Sequence, residues 1–529
     1  MSQQIVLNME SDKNPSNITD TAVRSKSVLR GNSTFSFNIK KNSERFQRSD
    51  SIKDEFLPAH RRIIAEDKTY NRETVPSLIE LVIKHIIENF SFNYSALPYL
   101  TDDQKRFVLD SIPTDIPLKV IAHTIRDELF WKRICLSRWP VVDVIKHDNS
   151  WKQAFFEKQL EQMIHEYVPG QTYCVWIEEA LQFAAPYVRR IDIKEMLPPV
   201  KLKAKEVRPR SASSQADSDN EESEEVVETS PRIDHLDLGF VIAKLTQMTH
   251  LSVQYTIRNV GLDFEWEHFQ FTRRDCISFS KAVKAHTSLS VLQLVNSRVD
   301  CEKCRVLVGH LLDHPSLKVL NLSHNLISDW GARALGKLIN GRSKIECLDL
   351  LNNRITPEGG EALGHALSKN AKFLRKLNLR LNKLRDDGAI AIAKSLLRNT
   401  TLKELNLSTN DIRDPAILMF GQVLTHNSSL RKLDLSNNTI GAATGRKLQE
   451  CIASNQALIH LDLRFTGIPQ ISEFTLHQTI EANDNRYRLE RETGTGTEAV
   501  KLPGLISVAV NDVKQVFKKS RRRQSVFTH

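Results

Sequence analysis

The chain has 529 residues, 40% of them hydrophobic and 26% charged, with a formal net charge of +10 at pH 7. That length allows two or three domains of roughly 150 residues, each able to bury a core, and the composition excludes a low-complexity or fibrous chain. The positive excess would suit an acidic partner, but lysine and arginine cluster only at Lys201 to Arg210 and Lys518 to Arg523, so no nucleic-acid partner is expected.

Seven cysteines without even pairing, and no apolar stretch behind Met1, point to a reducing intracellular compartment. The longest apolar runs, such as Leu505 to Val510, fall far short of the roughly 18 to 20 residues that span a bilayer. No membrane partner is expected either.

Residues 1–70 are rich in Ser, Asn, Lys and Arg, with too few large apolar groups to offset the entropy of ordering them, and read as a disordered tail. From Pro76 the pattern changes. Leu78, Leu81, Val82, Ile86 and Ile87 recur at helical spacing and predict an amphipathic helix buried along that face, opening a helical domain at 71–200. Leu97-Pro98 and Ile112-Pro113 punctuate it, while Trp131, Trp139, Trp151 and Trp176 indicate a core. The stretch Asp127 to Trp139, DELFWKRICLSRW, with SWKQAFFEK around Trp151, resembles the later helices of an F-box domain, which would imply a ubiquitin-ligase adaptor.

A linker at 201–232 follows, basic from Lys201 to Arg210 and then acidic from Asp217 to Glu228, with almost nothing to bury. Ser218 carries the acidic flank that an acidophilic kinase prefers.

Residues 233–491 hold an internal repeat. The frame Leu-x-x-Leu-x-Leu-x-x-Asn occurs as Leu317, Leu320, Leu322, Asn325 and returns from Ile345, Leu374, Leu402, Leu430 and, with Thr466 in the asparagine place, Leu458, at intervals of 28 or 29 residues. Counting an earlier copy from Leu289, the frame appears seven times, and Met248, Leu251 and Val253 form a degenerate first unit, set apart by an insertion with Trp266, Phe269 and Phe271. In Leu-x-Leu the side chains alternate across a short parallel strand, so leucines point inward and the residues between them outward. The asparagine is suited to bond backbone groups left unpaired where the strand turns away. Between strands lie helical segments such as those from Gly331 and Gly388, whose small residues let helix and strand approach closely. Ile471 to Arg491 reads as a capping helix, and residues 492–529 as a disordered basic tail in which Arg521 to Arg523 precede Ser525, a flank favoured by cyclic-nucleotide-dependent kinases.

This 28-residue strand-and-helix unit resembles the ribonuclease-inhibitor type of leucine-rich repeat. The expected fold class is therefore an α/β solenoid, a leucine-rich-repeat horseshoe, preceded by an all-α domain.

No catalytic constellation is visible. Cys301-Glu-Lys-Cys304 lacks the second ligand pair a tetrahedral zinc site needs and is better read as the start of a helix. No Gly-x-x-x-x-Gly-Lys-Ser/Thr loop, Gly-x-Ser-x-Gly elbow or His-Glu-x-x-His pair occurs. Neither an enzyme nor a cofactor is expected. The candidate site is the concave face, where Lys376, Arg380, Glu404, Lys432, Asp434, His460, Asp462 and Arg464 form a mixed-charge strip suited to a protein partner.

The residues outside the frame carry a second resemblance, from about Pro76 to Ala482. LKVLNLSHNLI from Leu317, Asp329-Trp330-Gly331-Ala332, CLDLLNNRI from Cys347 and KLNLRLN from Lys376 are similar to the T-complex-associated testis-expressed family, subunit five of the dynein regulatory complex. That resemblance implies a non-catalytic scaffold of the nexin link, in the cytoskeleton and cytoplasm of ciliated or flagellated cells, contacting other complex subunits and axonemal proteins. The repeats also resemble the activating protein of the nuclear-transport GTPase Ran, so a GTPase regulator and the F-box adaptor stand as alternatives.

Overall fold

The computed structural model describes residues 76–167, 174–197, 235–257, 271–369 and 371–492. The N-terminal tail, the linker, the chain beyond 492, Trp266 and Phe269 lie outside them. The chain divides into two compact units between Ile125 and Arg126.

The first unit is helical: α1 (Leu78–Glu88), α2 (Phe90–Asn93), α3 (Asp102–Ser111) and α4 (Leu118–Thr124). Ser77 and Glu80 close a capping box at the start of α1, each side chain accepting the other's backbone N–H. The expected helix is present, but it buries Ile83 and Ile86 and leaves Leu78, Leu81 and Val82 exposed. Apolar residues surround most of α1, so periodicity did not select a face. Packing against α3 did.

The second unit opens with α5 (Glu128–Arg138), α6 (Trp151–Glu166) and α7 (Cys174–Ala184). Asp127 caps α5 and Ser150 caps α6, each accepting a backbone N–H three residues on. Trp131 is fully buried, with Phe155 and Phe156 ring centroids at 5.1 and 5.4 Å, contacts worth about 0.5–1.5 kcal/mol each beyond area burial.

A nine-stranded parallel sheet follows in strict chain order. Its strands are β1 (Arg190–Ile193), β2 (His250–Val253), β3 (Val291–Leu294), β4 (Val319–Asn321), β5 (Cys347–Asp349), β6 (Lys376–Asn378), β7 (Glu404–Asn406), β8 (Lys432–Asp434) and β9 (His460–Asp462). After β1 comes α8 (Leu238–Lys244); then α9 (Arg273–Ala285), α10 (Cys301–Leu311), α11 (Asp329–Asn340), α12 (Pro357–Lys369), α13 (Arg385–Ser395), α14 (Asp414–Leu424) and α15 (Ala442–Ile452) alternate with the strands. The 23-residue α16 (Gln470–Glu492) covers the place expected for the capping helix.

The sheet holds one strand more than the eight units counted from the repeat. Val188, Ile191, Ile193 and Met196, all buried, occupy the frame positions of β1, which pairs residue for residue with β2. Valine and isoleucine stand where leucine is usual, methionine replaces the asparagine, and the charged stretch at 201–232 interrupts the period. Burial, rather than leucine identity, is what the frame requires.

Strand leucines fill the interior: Leu320, Leu348, Leu405 and Leu433 are each 2% exposed or less. The frame asparagines are buried beside them. Asn325 accepts the Ser297 and Val299 N–H groups at 3.0 Å and donates to Leu294, Leu322 and Ser323 carbonyls at 2.8–3.1 Å. Asn353, Asn382, Asn410 and Asn438 repeat the pattern, so each pins two adjacent turns to one another.

Of the small helical residues, Gly360, Gly364 and Gly388 lie where two helices meet, while a Cβ on Gly331 would lie 2.6 Å from Ile327 Cγ2, in the turn that follows β4. A Cβ on Gly360 would lie 2.7 Å from the Gly388 Cα, and one on Gly364 would lie 2.7 Å from the Ala391 carbonyl oxygen. Here α12 and α13 touch through backbone.

Candidate partner-binding face

In each repeat the residues flanking the inward leucines lie on the sheet face turned away from the helices. In β6 these are Lys376, Asn378 and, just beyond the strand, Arg380, alternating with buried Leu377 and Leu379. Parallel register sets equivalent residues side by side, about 4.8 Å apart. One row therefore reads Lys376, Glu404, Lys432, His460 and the next Asn378, Asn406, Asp434, Asp462. Arg380 and Arg464 hold the third position at the two ends of these four repeats. All eight expected charged residues lie on this one face.

They are not equally free. Glu404 sits between two ammonium groups, its oxygens 3.0 Å from Lys376 Nζ and 3.2 Å from Lys432 Nζ. Partial burial raises the pKa of this carboxyl, but the two lysines outweigh burial and hold it below the usual range. Half-exposed pairs of this kind contribute about 0–1 kcal/mol apiece.

The central row has a backbone role that spacing did not reveal. Asn378, Asp434 and Asp462 accept the N–H two residues on, from Arg380, Ser436 and Arg464, at 3.0–3.1 Å. Asn321, Asp349 and Asn406 do the same. These side chains shape the turn out of the strand. Asn406 Nδ2 also donates to Asp434 Oδ2 at 2.9 Å, and Asn378 Nδ2 to Asp349 Oδ1 at 3.0 Å, binding neighbouring strands along the row. Burial pushes the Asp349 carboxyl up from its ordinary value, against the hydrogen bonds it accepts.

Asp462 holds Arg464 by side chain as well as backbone. Arg380 and His460 are exposed and make no ion pair among the described residues. The residues following Arg380 and Arg464 are Leu381 and Phe465, both exposed, with φ of +57° and +60°. A left-handed backbone at such residues costs about 1–2 kcal/mol. In the other repeats from β3 onward this position holds Asn296, His324, Asn352, Thr409 or Asn437, so two apolar side chains in a polar column were the signal available in the sequence.

A second polar ladder, on the helix-to-strand side, was also missed. Asn399, Asn427 and Asn455 are buried, accept two backbone N–H groups ahead of the next strand, and donate to the Leu367, Leu396 and Leu424 carbonyls at 3.0, 2.7 and 2.6 Å. Asn483 of α16 continues it, donating to the Asn455 and Leu458 carbonyls. His286 and His314 bond the equivalent carbonyls of Leu245 and Val283. Their 28-residue spacing was legible, but polar residues at the end of a helix do not announce burial.

Cys301 starts α10 as expected, its sulfur 2.9 Å from Ser328 Oγ, and Cys304 is buried one turn on. Among the described residues no three His, Cys, Asp or Glu side chains are placed to hold a metal. Ser218 and Ser525 lie outside the described residues.

The model of the leucine-rich repeat family matches residues 313–336, 343–364, 370–393, 398–421 and 426–448. Over 255 residues the chain is 41% identical to human dynein regulatory complex subunit 5 and 38% identical to the mouse protein, in each case 48% of this chain and 49% of the relative. Subunit 5 from Chlamydomonas reinhardtii is 29% identical over 233 residues, 44% of this chain and 50% of the relative. The chain thus spans about half the length of the curated relatives it matches. It carries a leucine-rich-repeat solenoid, and over that half it is homologous to dynein regulatory complex subunit 5.

Proposed function

We propose that this chain is a non-catalytic scaffold of the nexin-dynein regulatory complex, in the axoneme of motile cilia or flagella, and that it regulates dynein-driven motility by holding other subunits. The observation that carries the reading is its 41% identity to a protein named as a subunit of that complex. The open sheet face supplies the means. Arg380 offers positive charge to a partner's carboxylates without first breaking an internal ion pair, His460 stands exposed in the neighbouring row, and Leu381 beside Arg380 and Phe465 beside Arg464 supply apolar anchors. The helical region holds a second partner.

The test is replacement in a ciliated cell lacking its own copy, using the double variant Arg380→Glu, His460→Glu. Its circular dichroism should match the parent while its incorporation into the axoneme is lost, since like charges facing one another across an interface cost several kcal/mol. Normal incorporation and beating of the variant would remove this face from the reading. Failure of the parent chain itself to enter the axoneme would remove the complex.

A further inference from the structure

The cations of the repeats look dispersed along the chain, but the period of 28 or 29 residues stacks them. Four segments lead from the ends of α11, α12, α13 and α14 into the next strand: residues 336–346, 365–375, 393–403 and 421–431. Together they hold ten lysines and arginines and one carboxylate, Glu346, which is already paired with Lys318 at 3.3 Å. At the opposite rim, residues 323–333, 351–361, 380–390 and 408–418 lead from the strands into the same helices and hold six cations and seven carboxylates. One rim of the solenoid is therefore nearly neutral and the other strongly basic.

Cations are favoured at helix C-termini, yet four such ends supply a charge of only about −2, far less than the excess. Arg342, Lys344, Lys372 and Arg398 lie beyond the helix ends, are exposed, and form no ion pair among the described residues.

In the middle of this rim α12, α13 and α14 border a groove of about 730 Å³. Backbone contact at Gly364 draws α12 onto α13, and α13 presents only Ala391 where α14 presents Met419, so the surface sinks between them. Leu397, Met419 and Val423 line the groove with apolar surface. Its basic lining is His365, Lys394, Arg398 and His426, and Glu361 is its one carboxylate among the described residues. Leu397 is 57% exposed at a position where the adjoining repeats hold Ser368 and Thr425. Among the described residues no Phe, Tyr or Trp lines the groove to stack a nucleic-acid base.

We propose that this groove seats an acidic segment of another protein, an apolar side chain entering beside Leu397 and carboxylates on either side of it meeting Lys394 and Arg398. The apolar lining favours a peptide, since a phosphate backbone has nothing to place there, and the unpaired cations select its charge. This surface belongs to the helices, apart from the open sheet face, and its partner need not be axonemal.

Fluorescence anisotropy of a labelled peptide, glutamates around a central leucine, tests this on the full chain at about 0.15 M salt. The parent should bind it. Lys394→Glu with Arg398→Glu should weaken binding at least about tenfold. Leu397→Ser should remove the advantage of leucine over alanine at the peptide's centre, about fivefold in the parent. Arg354→Glu with Lys383→Glu, two exposed cations of the neutral rim, should leave affinity within about twofold of the parent. Circular dichroism checks that each variant keeps the fold; if the reversed pair does not, Lys394→Gln with Arg398→Gln takes its place. Equal losses from the two charge reversals would overturn the proposal, because net charge alone would then account for binding, and so would a parent that does not bind. A duplex oligonucleotide that displaces the peptide and binds more tightly would give the rim to nucleic acid instead. Binding that emerges only when the acids of 217–228 are replaced by serine would give the groove to the chain's own acidic run, and would equally overturn the assignment.

Discussion

Asp462 grips Arg464 two residues away: Arg464 Nε lies 2.9 and 3.0 Å from the two carboxylate oxygens, and Nη2 lies 2.5 Å from Oδ2. The carboxylate is buried and the guanidinium largely exposed, so the arginine neutralises a charge that water reaches poorly. Arg464→Glu should lower stability by about 1–3 kcal/mol, because it leaves Asp462 without its partner and adds a like charge. Arg380→Glu should stay within about 0.5 kcal/mol of the parent. Urea unfolding of both variants measures the difference; equal midpoints would mean that the Asp462 contact holds nothing in place.

The second ladder should matter as much as the first. Asn427→Ala strands the Leu396 carbonyl and the Ser429 and Leu430 N–H groups, while Asn410→Ala strands their counterparts on the strand side. Each should cost about 1–3 kcal/mol, the range for leaving a buried backbone group unpaired. A melting temperature for Asn427→Ala indistinguishable from the parent would show that the helix-end asparagines are spectators.

Gly364→Ala places a methyl 2.7 Å from the Ala391 carbonyl oxygen and 2.8 Å from its carbon, atoms that cannot rotate aside. The helices must separate, at about 1–3 kcal/mol. Gly309→Ala, whose Cβ would meet nothing within 4 Å, should instead be neutral or stabilising by up to about 1 kcal/mol. If thermal melts rank the two the other way, the backbone contact between α12 and α13 is not what the geometry implies.

Acid should weaken the Lys376, Glu404, Lys432 row. Burial opposes the charged form of Glu404, yet the lysines hold its folded pKa below the unfolded value of about 4.3. In that window the unfolded chain binds more protons, so the contribution is complete above about pH 4.3 and is lost as pH falls through the folded pKa. Glu404→Gln should therefore melt lower than the parent at pH 7 and converge with it near pH 3. A constant gap between the two proteins across that range would exclude the ion pairs as its source.

Thiol labelling should follow burial. Burial pushes Cys135 and Cys347 up to about 12 and Cys276 up to about 11, and Cys304 is raised as well. Cys301 and Cys451 are only half-buried. In native protein at pH 8, iodoacetamide followed by mass spectrometry should modify Cys301 and Cys451 well before those four, since the thiolate is the reacting form. Equal labelling of Cys301 and Cys304 would contradict the placement of α10.

Within the repeats, the sequence alone determined the strands, their order and the face each residue takes, because a frame recurring every 28 or 29 residues leaves one way to bury its leucines. It also determined that Lys376, Glu404, Lys432 and His460 share a row, since a common frame position is a common register. Tertiary structure decided the rest. It chose Ile83 and Ile86 over Leu78 and Leu81 on a helix apolar almost all round. It put β1 into the sheet although its valine and isoleucines hid the frame. It turned Asp434 and Asp462 from free charges into turn formers, and buried a second row of asparagines at the helix ends. The physical reason is common to these cases: a side chain's polarity is local, whereas its burial and the backbone groups it must satisfy depend on the neighbouring turns that pack against it.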